Sequence, residues 1–249
     1  MIRIIVKYAA MALVLMATGA ATAQEFKVAG DPNYRPFGFT DENGNEVGYD
    51  MDFARALGEK MGMTTVYLGM AFDGIIPALM SKRIDAITSL TVTEARKEQV
   101  LFSQPVLAQD IVVVLPAGKP VPTLEELRSM RLGVQVNSAA ATQVDALGLP
   151  ATTYNALPDE LNDLVLGRID AVAVESIAGA YTVAATFKDK LTVSTLVLSD
   201  DPRIISVAVH KDNPDMLAKI DAAITTMKTD GTMKAITDKW FGDAHVIAD

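Results

Sequence analysis

The sequence has no cysteine, only two histidines and one tryptophan, and aromatic residues make up 6% of its 249 positions. Without cysteine there is no disulfide framework, no thiol nucleophile, no Cys-held metal and no thiol to carry a lipid. His210 and His245 alone give little material for a histidine-dependent triad or a His-rich metal centre. Positive charge is also scarce. Lys and Arg total 22 against 31 Asp and Glu, and the net charge of -9 argues against nucleic acid or an anionic membrane as a bulk-charge partner. No apolar run reaches the ~20 residues needed to span a bilayer. What the chain does have is a 50% share of hydrophobic residues and enough length for one large core or two smaller lobes.

The first 23 residues form a separate unit. Arg3 and Lys7 precede an apolar stretch centred on Ala9 to Met16, and small residues ending Ala21-Thr22-Ala23 stand before Gln24. That is the order of a secretory signal peptide, so 1–23 is expected to be removed and the protein to be a freely soluble periplasmic one with no lipid anchor. Removal takes away two basic and no acidic residues, leaving an exported chain that is more acidic still.

From Glu25 onward, short apolar runs alternate with amphipathic stretches, the pattern of an α/β protein with mostly parallel strands. The residues predict a strand over 26–29, a hairpin over 37–47 turning at Asn43-Gly44, and a helix over 50–61 stopped by Gly62. A strand over 66–68, a short helix over 74–81 capped by Asp73, and a buried strand over 84–88 follow. The tetrapeptide Arg-Ile-Asp-Ala occurs twice, at 83–86 and 168–171, each time after an amphipathic helix and before an apolar strand. This echo suggests two lobes built on one plan. Between the copies, Pro116, Gly118, Pro120 and Pro122 are the densest cluster of chain breakers, and a lobe boundary is expected nearby. Thr123 caps a helix, a strand covers 132–136, and Ser138 starts a helix running to Leu147. A strand over 204–209 can carry the chain back to the first lobe, helices over 214–228 and 232–241 finish it, and the residues after Gly242 are expected to fray.

Several motifs in a shared order carry a resemblance: Asp31-Pro-Asn-Tyr-Arg-Pro-Phe37, Gly48-Tyr-Asp-Met-Asp-Phe53, Phe72-Asp-Gly-Ile-Ile-Pro-Ala-Leu79, the Asp85 to Arg96 segment ending Thr-Val-Thr-Glu-Ala-Arg, Gly133-Val-Gln135, Gly167-Arg-Ile-Asp170, and Asp230-Gly-Thr to Lys239-Trp-Phe-Gly242. Across nearly all of the exported chain, the sequence resembles the periplasmic amino-acid-binding proteins of ABC transporters, the polar amino-acid family 3. The resemblance implies a type II periplasmic-binding-protein fold: two α/β lobes joined by two hinge strands. Lobe 1 would comprise 24–108 and 208–249, and lobe 2 would comprise 109–207. It also implies a monomer that closes on an amino acid or related zwitterion and delivers it to a membrane permease, with no cofactor and no metal.

A buried zwitterion needs a cation and amide donors for its carboxylate, an anion for its ammonium, and a surface for its side chain. By resemblance, Arg96 is the carboxylate clamp, since a planar guanidinium grips both oxygens. Ser138 and the backbone N–H groups around Ala139 would hold the same carboxylate from the other side. Glu175 stands where an ammonium-pairing aspartate is usual, Ser89 and Thr91 would add hydroxyl or carbonyl contacts, and Tyr34 and Phe72 would sandwich the side chain. Asp31 either meets a basic ligand side chain or caps the Asp-Pro-Asn turn. Arg35, Met70 and Gln135 are further candidates to face the cleft. The chain departs from the family in three places: Asn137-Ser138-Ala139 replaces the usual Gly-Thr-Thr or Gly-Thr-Ser, Glu175 is one methylene longer than aspartate, and the segment from Asp85 to Thr91 is one residue shorter. An alternative is a cyclohexadienyl or arogenate dehydratase-like enzyme on the same fold, but Ser176, Ile177 and Ala178 stand where that branch carries its general acid, so no catalytic residue is assigned.

Overall fold

The computed structural model describes residues 24–242 and 246–248; the expected signal peptide and His245 lie outside them. Two sheets with the same strand plan organise the chain. In the first, Thr64–Gly69, Glu25–Gly30 and Ala86–Thr91 lie side by side and parallel. Arg203–His210 runs antiparallel beside them and also pairs Val100–Phe102 and Leu107–Gln109. In the second, Ala151–Tyr154, Leu132–Gln135 and Ala171–Glu175 are parallel, Ile111–Pro116 runs antiparallel beside them, and Leu191–Val197 forms the edge. A small antiparallel ribbon, Asn33–Tyr34, Gly38–Thr40 and Glu46–Val47, leads from the first strand to its helix.

Helices cover both faces of each sheet, which is why the central strands are buried throughout. In the first lobe, Tyr49–Met61, Pro214–Thr229 and Thr232–Phe241 pack around Phe26, Phe53, Leu57, Ile220 and Met227, while Phe72–Met80 covers Ile75, Leu79, Ile87 and Leu90 on the other side. In the second, Ala139–Ala146 and Leu157–Val165 cover opposite faces, around Val134 and Val144 on one and Leu161 and Val172 on the other.

The repeated Arg-Ile-Asp-Ala has one structural meaning in both copies. The Asp85 N–H donates to the Lys27 carbonyl and its carboxylate accepts from the Lys27 N–H, both at 2.7 Å. Asp170 repeats this with Arg131, at 2.8 and 2.9 Å. Each aspartate therefore clamps the start of its lobe's third parallel strand to the start of its first parallel strand. The isoleucine before it is buried in both copies, and the helix ahead of it ends on a left-handed residue, Lys82 (φ 58°) or Gly167 (φ 69°).

The chain crosses between sheets twice. Gln109 pairs in the first sheet and Ile111 in the second. The return lies between Val197 and Arg203, so a boundary at 207/208 falls inside a strand whose registered pairs all belong to the first sheet. The crossings lie together: the Leu198 N–H donates to the Ile111 carbonyl and the Val92 N–H to the Ile204 carbonyl.

Three local expectations are corrected. Asp73 sits inside the first turn of the Phe72–Met80 helix, whose N-cap is Ala71 and lacks a side-chain hydrogen bond. Gly231, expected from the sequence as a helix stop, also begins the next helix as its N-cap in a left-handed conformation. The chain after Gly242 does not fray along its whole length: Ile247 bridges Leu107, and Val246 and Ala248 are buried, because an apolar extended strip finds the open edge of Leu107–Gln109.

Candidate functional site

The C-terminal ends of the parallel strands in the two sheets face one another, and the loops leaving them carry the polar side chains, as expected for open α/β sheets. Between the lobes lies a cavity of about 50 Å³. Asp31, Tyr34, Phe72, Ser89, Thr91, Arg96, Ser138 and Glu175 line it. Ala139 does not line it, but its backbone N–H enters the same network. Gln135 also lines the cavity, whereas Arg35 turns away onto the Phe39 ring, 4.2 Å from its centroid, and Met70 accepts a contact from Arg83.

Arg96 reaches the cavity from a one-turn helix, Glu94–Lys97, that Thr93 caps through its hydroxyl. Its guanidinium donates to the Thr91 carbonyl (2.7 Å) and, across the cleft, to the Asn137 carbonyl (2.8 Å), with the Phe72 ring centroid 5.5 Å away. Asn137 presents that carbonyl from a left-handed conformation (φ 58°), which asparagine tolerates. A guanidinium has five N–H groups, and these two bonds leave most of them unused. Arg96 is 6% exposed and, among the described residues, makes no ion pair. Burial pulls its pKa down, opposed by the charge of Glu175 and the Tyr34 hydroxyl, and it stays a cation.

Glu175 ends the strand Ala171–Glu175 and is the N-cap of the helix Ser176–Thr186. One carboxylate oxygen accepts the Tyr34 hydroxyl from the other lobe at 2.5 Å. The other accepts the Ala139 and Ala140 N–H groups at 3.1 and 3.2 Å. Ser138 acts as the N-cap of the helix Ala139–Ala146, its hydroxyl accepting from the Ala141 N–H. The helix-start amides around Ala139 thus already hold a carboxylate, and it belongs to the protein. Burial first, then the Glu175 charge, keeps the Tyr34 phenol protonated far above its ordinary range. Glu160, with no exposed surface and neither carboxyl oxygen hydrogen-bonded, is pushed well up by burial and by Glu175.

Asp31 does both things open to it. One oxygen accepts the Asn33 N–H, closing the Asp-Pro-Asn turn, while the other accepts from Gln135 across the cleft at 3.2 Å. Burial raises its pKa, and those hydrogen bonds oppose the rise. The residue that sequence reading missed is Asp50. It lies in the first turn of the helix Tyr49–Met61, yet it is 5% exposed, lines the cavity, and leaves Oδ1 without a partner. Burial pushes it up to about 7, partly countered by the nearby hydroxyls of Ser89 and Thr88 and reinforced by Asp31. Ser89 Oγ and Gln109 Oε1 are likewise buried without partners. Gly30 permits this crowding, because a Cβ there would collide with the Tyr67 hydroxyl and the Asp50 carboxylate. The only sequence hint to Asp50 was its place in the Gly48-Tyr-Asp motif.

Among the described residues no group of three His, Asp or Glu is placed to hold a metal, and no helix is long and apolar enough to cross a membrane.

Two similar lobes with converging charges between them define the class of two-lobed solute-binding proteins. Residues 26–243 match the family of bacterial extracellular solute-binding proteins, family 3, and the chain belongs to it. It is 32% identical over 214 residues to the L-cystine-binding protein TcyJ of Escherichia coli, covering 84% of this chain and 79% of that one. It is 27% identical to the lysine/arginine/ornithine-binding periplasmic protein of the same organism, covering 92% of each. Among solved structures, an ancestral arginine-binding protein bound to glutamine is 34% identical with a TM-score of 0.81, covering 88% of this chain and 98% of that one. These relatives are named as binding proteins, not enzymes.

Proposed function

We propose that this protein captures an amino acid or related zwitterion between its lobes in the periplasm and hands it to an ABC transporter permease. The observation that carries this reading is Arg96: a buried cation with no ion pair among the described residues, with unused N–H groups, on the wall of an interlobe cavity. A buried charge is stable only when compensated, and a ligand carboxylate supplies what the protein leaves out. Asp31 stands ready for an ammonium group, and Phe72 and Tyr34 give the apolar part of the wall. Binding rather than catalysis is favoured by the names of the relatives and by Ser176, Ile177 and Ala178, which place no acid after Glu175. Both walls of the cleft come from one chain, so the site is complete in a monomer. Closure changes the outer relation of the lobes, and a permease can read that shape.

The test is calorimetric titration of wild type and Arg96→Met, stripped by unfolding and refolding, with the amino acid that stabilises the wild type most. The reading predicts a loss of ~2–5 kcal/mol in the variant. A loss below tenfold, about 1.4 kcal/mol, removes Arg96 from the site.

A further inference from the structure

The amides at the start of Ala139–Ala146 have a built-in occupant. We propose that Glu175 fills the carboxylate cradle formed by the Ala139 and Ala140 N–H groups, so that a ligand's carboxylate rests on Arg96 and the cleft selects ligands chiefly by their N–H donors. This deepens, and rests on, the reading of the cleft as a zwitterion site.

The geometry supports it from three sides. First, one oxygen of Glu175 takes both amides, at 3.1 and 3.2 Å, and the other takes the Tyr34 hydroxyl at 2.5 Å, so the carboxylate is fixed at both ends. The helix dipole and two N–H groups favour an anion there, and a charge-assisted bond to Tyr34 adds to the hold. A ligand carboxylate entering the cradle would have to evict this one and leave a buried charge with fewer partners.

Second, the reach depends on side-chain length. Glu175 is anchored at a strand end and helix start, so its backbone is not free to advance. Shortening it by one methylene withdraws the carboxylate by ~1.5 Å, the length of one C–C bond, and amide contacts already at 3.1 Å and beyond are lost.

Third, the other unsatisfied polar groups on the cavity wall want donors. Asp50 Oδ1 and Gln109 Oε1 are buried and unpaired, and Asp31 accepts only a single 3.2 Å bond from Gln135 on its cleft-facing oxygen. Among the described residues Arg96 is the one cation lining the cavity, against the carboxylates of Asp31 and Glu175, while burial keeps the proton on Asp50 toward neutral pH. With the cradle taken, this wall suits a ligand with one carboxylate and more than one cationic nitrogen.

The experiment uses two pairs of probes that differ only by the carboxylate, L-arginine with agmatine and L-lysine with cadaverine. Calorimetric titrations are made on stripped wild type, Glu175→Asp and Glu175→Gln. In parallel, the Ala139 and Ala140 amide protons are followed by NMR in the unliganded proteins. Freed amides should move upfield in Glu175→Asp. The preference for each amino acid over its decarboxylated amine should rise at least tenfold in that variant, because the ligand carboxylate gains the cradle. The glutamine variant keeps the length but loses the charge, and should move the same resonances by a smaller amount. Unchanged amide shifts in Glu175→Asp, or an unchanged preference in a protein that binds the probes, would overturn the proposal. If none of the four probes binds the wild type, the preference for a second cationic nitrogen is overturned while the zwitterion reading stands or falls on other amino acids, and the amide shifts decide what occupies the cradle.

Discussion

Asp50 shows how far one carboxylate's chemistry is set by its surroundings. Desolvation raises it to about 7, while in an unfolded chain it titrates near its usual value of ~3.9. The folded state therefore holds this proton more tightly, and the resulting stabilisation is complete below about pH 4 and lost as the pH rises to about 7. Asp50→Asn has no such dependence. Urea unfolding at pH 5 and pH 8 should show wild type losing stability relative to Asp50→Asn, by on the order of 2–4 kcal/mol at most. A constant difference between the two proteins would mean that Asp50 is solvated. The sequence did not disclose this residue because an aspartate in the first turn of a helix has an ordinary explanation, the helix dipole. Burial comes from Gly30 and Tyr67, which approach from another strand pair. The place of Arg96 on the cavity wall, by contrast, was legible, since the motif around it puts it just after the end of a strand, on the one-turn helix Glu94–Lys97.

At the scale of elements, the twin aspartate clamps are the clearest link between sequence and fold. The echo at 83–86 and 168–171 pointed to one plan, and both copies join the first and third parallel strands of their sheets. Arg131 adds a bidentate pair to Asp170, holding that carboxyl down to about 2. Asp85→Ala and Asp170→Ala should each lower stability by about 1 kcal/mol, read as a shift in the urea midpoint at pH 7. A change within a few tenths would mean that the strand ends are held by packing alone. Long amphipathic helices and buried strands were readable from their periodicity. The edge strands Ala151–Tyr154 and Leu191–Val197 were not, because exposed Thr and Ala positions on an edge carry no alternation strong enough to distinguish them from loop. The C-terminal strip was missed for a related reason: three residues have no period, and only the partner edge at Leu107–Gln109 orders them.

At the scale of the whole molecule, four side-chain bridges join the lobes among the described residues: Tyr34 to Glu175, Arg96 to the Asn137 carbonyl and Gln135 to Asp31 around the cavity, and Arg203 to Gln143 near the crossing strands. Tyr34, Glu175, Arg96, Gln135 and Asp31 of these bridges also line the ligand cavity. A ligand and the bridges thus act on the same equilibrium between open and closed forms, and weakening the bridges should shift it. In small-angle scattering, the stripped Tyr34→Phe/Gln135→Ala double variant should have a larger radius of gyration than stripped wild type. Equal radii would mean that the hinge, not the bridges, sets the lobe separation. The two-lobed plan was legible from motifs and the echo, but the crossing points were resolved only by strand pairing. The return to the first sheet begins before Arg203, because Ile204 and Ile205 pair with Ala108 and Leu107.

The measurement that bears most directly on the function is a thermal-shift screen of the stripped protein without residues 1–23, against amino acids, opines, ectoine-like solutes and prephenate. A ligand of the cleft at 100 times its dissociation constant should stabilise the fold by ~2.7 kcal/mol. The account predicts a shift with an α-amino acid class, greatest for those carrying a second cationic group, and its loss in Arg96→Met. Silence from every amino acid together with a shift from a solute lacking an α-amino group would contradict it.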